Sequence, residues 1–203
     1  MSDCLELRRA RVEDMDALCA LAAAAFPSSL RWNSLRALGR RRWRAVMDSM
    51  GSELWVAVDG AAIAGFAQLV VDHAAWKRAS ATAYADWALR LLAILLNPAV
   101  VVRRVRRFDV AAILPHVEVS SAVPNDQTTW LEVIAVSRQH LRQGVGRVLL
   151  NQLESRTRAL GLRAIGLRVD TNNEAARSLY TRAGYRLTGK SANGLIYQKV
   201  LEQ

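Results

Sequence analysis

Cysteine is scarce in this chain: 203 residues hold only Cys4 and Cys19. They fall on separate expected elements, so both are read as reduced and structural rather than as a disulfide framework. Lysine is scarcer than the charge suggests, since only Lys77, Lys190 and Lys199 of the 28 basic residues are lysine. No internal repeat and no low-complexity tract is present. The longest apolar stretch, Ala88 to Val102, is broken by Arg90, Asn97 and Pro98, short of the roughly 20 apolar residues that cross a bilayer. The amino terminus lacks the basic start and apolar run of a secretory signal, and it has Ser2 where myristoylation requires glycine. A cytoplasmic location is expected.

What is present reads as globular. Hydrophobic residues make up 52% and charged residues 23%, and the length suits one domain with one core. The net charge of +10 would attract polyanions, but arginine spread over a whole chain also reflects a GC-rich genome, and no nucleic-acid partner is expected. The run Arg40, Arg41, Arg42 and Arg44 reads as a solvated helix face, because no aromatic platform accompanies it.

Apolar spacing predicts a strand at Leu5 to Arg8 and a helix from Val12 to Phe26, with Glu13, Asp14 and Asp16 in its first turn. A second helix is expected over about Leu30 to Met50, with Trp43, Val46 and Met50 on its apolar stripe. Leu54 to Val58 and Ile63 to Val71 read as a hairpin around Asp59-Gly60. Residues 72 to 110 read as a helical insertion, with a helix from Ala83 to Leu96. Strands follow at Ala111 to Ser120 and Thr129 to Val136. The chain then reads as a helix from Gly144 to Leu160, a strand at Arg163 to Val169, a helix from Glu174 to Ala183, and strands at Tyr185 to Gly189 and Leu195 to Leu201. The expected class is α/β (α+β): a single mixed, mostly antiparallel twisted sheet of about six or seven strands with helices on both faces.

Two blocks carry chemistry. The buried strand ending at Val136 is followed by Gly144-Val145-Gly146 opening an amphipathic helix, which aims unpaired backbone N–H groups and a helix dipole at one spot suited to phosphate. Glycine at both positions keeps β-carbons away from a pyrophosphate, and Arg142 and Arg147 can add charge-assisted contacts. In the second block, Asn172 or Asn173 suits the N-cap of a short helix and Gly184 its C-terminal stop, with Tyr180 on that helix.

The strand-turn-helix Val133 to Leu150 resembles the acetyl-CoA binding motif of the GNAT N-acetyltransferase superfamily. The block Asn173, Ala176, Leu179, Tyr180, Gly184, Tyr185 resembles its second signature, which usually ends in glycine-phenylalanine. The likeness covers about Leu5 to Val71 and Thr129 to Val200. It implies acetyl-CoA as cosubstrate. Ile134, Ala135 and Val136 would pair with the pantetheine arm, and Arg142, Gln143, Gly144, Val145, Gly146 and Arg147 would cradle the pyrophosphate. Asn173 would touch the pantetheine region, and Tyr180 would act as general acid on the leaving thiolate. A backbone amide of the splayed strand would serve as oxyanion donor. No metal is implied, and His73, His116 and His140 are isolated without ligand spacing.

Two positions depart from the family pattern. Leu141 stands where the phosphate turn usually starts with arginine or glutamine, with Arg142 next to it. Arg168 occupies the strand position that carries a catalytic glutamate in ribosomal-protein acetylases, and arginine cannot be a base, which argues against a ribosomal-protein acceptor. Glu132 is the leading candidate base and Asp170 the second. Glu132 could equally bind the amine electrostatically while water takes the proton.

Two functional classes follow. One is an N-acetyltransferase acting on a small amine, an amino sugar or a protein amine, as monomer or homodimer. The other is a non-catalytic module that keeps the CoA fold and uses its basic, apolar insertion on anionic membrane or a partner. The insertion, with Arg103, Arg104, Arg106 and Arg107 behind an apolar helix, is expected to cap the acceptor groove or pack at an interface. Peripheral membrane contact is the minor alternative.

Overall fold

A computed structural model describes residues 5–26, 36–79, 127–192 and 194–202. The expected helix at Ala83 to Leu96 and strand at Ala111 to Ser120 lie outside these residues, as do Cys4 and His116.

The amino-terminal strand β1 (Glu6–Arg9) leads through a 3-10 turn, Val12–Asp14, into α1 (Met15–Ala25). Asp14 fixes that junction. Its carboxylate accepts from Arg8 Nη1 and Nη2 at 2.6 and 2.8 Å and from the Arg11 backbone N–H at 2.7 Å. The Arg8 hydrogen bonds, opposed by burial, hold the Asp14 carboxyl below its ordinary range. The second helix, α2 (Arg36–Asp48), ends before Met50. Met50 is 95% exposed, so it does not belong to the apolar stripe where its spacing put it. Arg40 pairs across the surface with Asp16, both exposed.

The expected hairpin forms β2 (Ser52–Asp59) and β3 (Ala62–Val70), and residues 73–79 turn helical after it. The carboxy-terminal elements are β4 (Thr128–Val136), the helix α3 (Val145–Ala159), β5 (Ala164–Val169), α4 (Glu174–Arg182), β6 (Arg186–Ser191) and β7 (Gly194–Val200). They build one seven-stranded sheet in the order β1-β2-β3-β4-β5-β7-β6. Every neighbouring pair is antiparallel except β4 and β5. The single parallel pair follows from its connection, since α3 carries the chain back along one face between the two strands.

Alternation along each strand divides the core. Leu69, Leu131, Ile165, Leu167 and Tyr197 face α3 and α4, while Val56, Phe66 and Ala135 face α1 and α2. On the α1–α2 side Trp43 meets Phe66 edge-on with centroids 5.1 Å apart, a geometry that adds about 0.5–1.5 kcal/mol to the burial itself. On the other side the buried Glu53 clamps α3 to β2 through Arg156, whose Nε and Nη2 donate at 3.0 and 2.9 Å. Burial pushes the Glu53 carboxyl up, but Arg156 and Arg9 outweigh it and the net shift is downward. Thr129 and Thr157 share a buried hydroxyl contact of 2.8 Å, which seats α3 directly over β4.

Candidate active site

The site begins with an irregularity in β4. Gln68 of β3 faces Val133 and Leu69 faces Leu131, so Glu132 is an extra residue on the bulged strand. A bulge bends and twists its strand, and here pairing with β5 stops at once: the last register pair is Leu131 with Leu167. From Glu132 to Val136, β4 pairs only with β3, and among the described residues no strand lies on its other edge. Backbone groups of alternate residues, those of Ile134 and Val136, point away from β3 to that edge, as an added extended chain would require.

The turn after β4 is drawn back by His140, whose Nδ1 lies 2.6 Å from Ser137 Oγ and whose Nε2 lies 3.1 Å from Asp59 Oδ2. Two left-handed residues close it, Arg142 at φ 62° and Gly144 at φ 87°. Gly144 sits at the N-cap of α3 and no side chain caps the helix. The first in-helix donor is the Val148 N–H, 3.0 Å from the Gly144 carbonyl. The amides of Val145, Gly146 and Arg147 are left pointing out of the helix end.

Within the protein the two glycines have different surroundings. A β-carbon at Gly144 would meet nothing within 4 Å, so its need is conformational. One at Gly146 would stand 3.1 Å from Leu179 Cδ2 and 3.8 Å from Val136 Cγ2. Gly146 is buried, and it permits the close approach of α3, α4 and the end of β4. Arg147 is also engaged, donating from Nη1 to the Arg182 carbonyl at 3.0 Å and bracing the end of α4. Gln143 donates to the Gln139 carbonyl at 2.8 Å.

Across the open edge stands α4. Asn173 is its N-cap, with Oδ1 accepting from the Ala176 N–H at 3.1 Å, so the carbonyl end of this side chain is committed to the helix. Tyr180 is buried among Tyr185 and Tyr197, with centroids at 5.9 and 6.4 Å. Burial pushes its phenol well above the ordinary tyrosine value, which keeps the proton on the oxygen through the physiological range. Tyr185 stands where the signature that this block resembles usually has phenylalanine, and its hydroxyl is enclosed without an aligned hydrogen-bond partner. Burial, with the neighbouring Glu154 adding to it, raises the Tyr185 phenol as well. Glu154 itself is buried, with Oε2 2.6 Å from Lys199 Nζ and Oε1 enclosed without a partner.

On the opposite face of the sheet, Glu132 shares its neighbourhood with His73. Burial, and then Lys77, lower the His73 pKa, while Glu132 and Asp72 act to raise it. His73 Nε2 is enclosed and unpartnered, and the nearby Gln68, 0% exposed, leaves both amide atoms so. Neither residue was a sequence candidate. A buried glutamine in an apolar strand, opposite the strand holding the glutamate, is the signal that could have flagged them. Asp170, the second candidate base, is exposed and its Oδ1 accepts from the Asn172 N–H at 2.7 Å, closing the turn before α4.

Residues 110–185 match the family described as acetyltransferase (GNAT) family. No curated protein sequence matches the chain. Among solved structures it is similar to the PaiA N-acetyltransferase of Thermoplasma acidophilum, determined in complex with coenzyme A, at 12% identity and a TM-score of 0.61, covering 97% of this chain and 99% of that one. An N-acetyltransferase of Staphylococcus aureus Mu50 superposes at a TM-score of 0.62 with 16% identity, over 98% and 100% of the two chains. The ribosomal-protein-S18-alanine N-acetyltransferase of Escherichia coli does so at 0.58 with 14% identity, over 98% and 96%. At these identities the structural likeness speaks to the fold.

Proposed function

We infer from the match over residues 110–185 that the chain belongs to the GNAT acetyltransferase family, and from that premise we propose that it moves the acetyl group of acetyl-CoA onto a primary amine by direct attack. One observation carries the reading. The unpaired edge of Ile134 to Val136 and the uncapped amides of Val145 to Arg147 lie side by side, since Gly146 at the start of α3 approaches both Val136 and Leu179 of α4. An edge for an extended arm and an anion site for a diphosphate, so joined, fit the two halves of coenzyme A.

The cosubstrate supplies an acetyl group activated as a thioester. The chain's own residues do the rest. Amides at the start of α3, with Arg142 and Arg147 beside them, bind the diphosphate. The backbone of Ile134 to Val136 holds the arm in register and offers an N–H to the developing oxyanion, where a preorganised donor contributes about 2.7–4 kcal/mol. The acceptor nitrogen attacks the thioester carbon, the C–S bond breaks, and the thiolate takes the Tyr180 proton. The proton of the acceptor nitrogen leaves through Glu132 or through water next to it. Burial keeps Tyr180 protonated until the transfer, and because it also disfavours the phenolate left behind, the proton moves only as charge develops on the leaving sulfur.

The experiment is a screen of amines for acetyl-CoA dependent thiol release, repeated with Tyr180→Phe. Turnover with at least one amine, reduced about 100-fold or more in the variant, is the expected result. Thiol release unchanged by Tyr180→Phe across pH removes the general-acid role. Acetyl-CoA binding with no acceptor acetylated would instead favour a non-catalytic CoA-binding module.

A further inference from the structure

In β5, five of six residues are buried, and the exception is Arg168. Its position is the point of interest. Leu131 and Leu167 are the last register pair between β4 and β5, so Glu132 and Arg168 are the first residues past it on the two diverging strands. Leu131 and Leu167 both pack towards α3 and α4, and Val133 packs towards α1 and α2. Val169 packs with Leu167, so alternation turns Arg168 away from α3, while Glu132 lies in the bulge at the same level, where the chain crosses from one face to the other. On that side the preceding register pair is Trp130 with Gly166, and Ile196 of β7 pairs beside Arg168. A carboxylate and a guanidinium thus flank the mouth of the open strand pair, above an apolar floor.

Among the described residues the exposed Arg168 guanidinium makes no hydrogen bond and no ion pair. Asp170, two residues further along the strand, is engaged in the turn before α4. A guanidinium is a fixed fork of donors that matches carboxylate and phosphoryl oxygens. Neighbouring strands lie about 4.8 Å apart where pairing ends, so the two charges stand within reach of one compact molecule.

We propose that Arg168 selects the acceptor: it binds an anionic group carried by the amine substrate, so that the acceptor is a compact amine with a carboxylate or phosphoryl group a few bonds from its nitrogen. The assignment rests on the acyl-transfer reading above for what happens to the nitrogen, and it adds which amines arrive. The same charge disfavours polyamines, whose second ammonium would face the guanidinium.

The test ranks acceptors by kcat/KM for thiol release, and by calorimetric binding to the protein saturated with CoA. The acceptors are glycine, β-alanine and γ-aminobutyrate, 2-aminoethylphosphonate, unsubstituted alkylamines of matched length, and 1,4-diaminobutane. A preference for the anionic members is expected. It should collapse by about 10- to 100-fold in Arg168→Met, the scale of a charge-assisted hydrogen-bonded pair, and Arg168→Glu should invert it towards the diamine. The phosphonate arm tells phosphoryl from carboxylate recognition. A CoA-dependent rise in melting temperature, retained in both variants, establishes that they fold. Equal ranking of anionic and neutral amines, or a ranking that neither variant changes, overturns the assignment even if acetylation proceeds. Selective binding lost in Arg168→Met with no acetylation of any acceptor leaves the assignment standing and removes the acyl-transfer reading instead.

Discussion

Tyr185 shows how much one oxygen can matter at the scale of a residue. Its ring fills the space between Tyr180 and the Lys199 ammonium, which stands 5.8 Å from its centroid. The hydroxyl adds a buried polar group with no aligned hydrogen-bond partner, and such a group costs about 1–3 kcal/mol of desolvation. Tyr185→Phe keeps the ring and deletes the oxygen. It should leave stability unchanged or raise it by about 1 kcal/mol, read as the urea midpoint at constant slope; a loss of more than that would mean the hydroxyl is satisfied by the neighbouring Glu154 carboxylate or by bound water. Tyr180 differs only in what its burial is for. Its phenol too is pushed upward, and the general-acid role proposed for it is what its held proton would serve.

Elements were legible in the sequence wherever local chemistry and tertiary context agreed. The hairpin at Asp59-Gly60, the helix after Gly144 and the short helix capped by Asn173 all form close to their expected bounds. Their turn and capping residues dictate them whatever packs on top. The bulge at Glu132 was not legible, because register is a relation between two strands and no single strand spells it. The packing of Gly146 was not legible for the same reason: Leu179, against which it packs, lies on another helix. The start of α1 belongs to the legible class, and it carries a testable pH dependence. Asp14 has its carboxyl lowered by Arg8, so its contribution is present above the unfolded value of 3.8 and is lost as pH falls through the lower folded value. Asp14→Asn should therefore destabilise by about 1–3 kcal/mol at pH 7, measured by chemical denaturation, and the gap to the parent should narrow in acid below about pH 4. A gap that stays constant from pH 7 to pH 2 would show that the ion pair with Arg8 contributes nothing beyond the shape of the turn.

Across the whole molecule the same opening has a thermodynamic consequence. Among the described residues the centre of the sheet leaves one strand edge unpaired and one helix end uncapped, backbone groups that a ligand can satisfy. A ligand that supplies those bonds binds the folded chain and not the unfolded one, so it must raise stability by mass action. The net charge of +10 works in the same direction, since it draws a polyanion towards the turn and makes the association salt-dependent. Acetyl-CoA at a hundredfold excess over its dissociation constant should add about 2.7 kcal/mol, a rise of about 5–10 °C in melting temperature for a chain of this size. Its fragments divide the effect by location: adenosine 3′,5′-bisphosphate with pantetheine absent reports a nucleotide site alone, and pantetheine reports the strand edge. Gly144→Val, which forces a β-branched residue to a positive φ at the turn, should weaken the response to acetyl-CoA more than the response to pantetheine. Scanning fluorimetry over a ligand series measures all of this. No shift at millimolar acetyl-CoA, or equal loss of both responses in Gly144→Val, would separate the opening in the sheet from the binding of the cosubstrate.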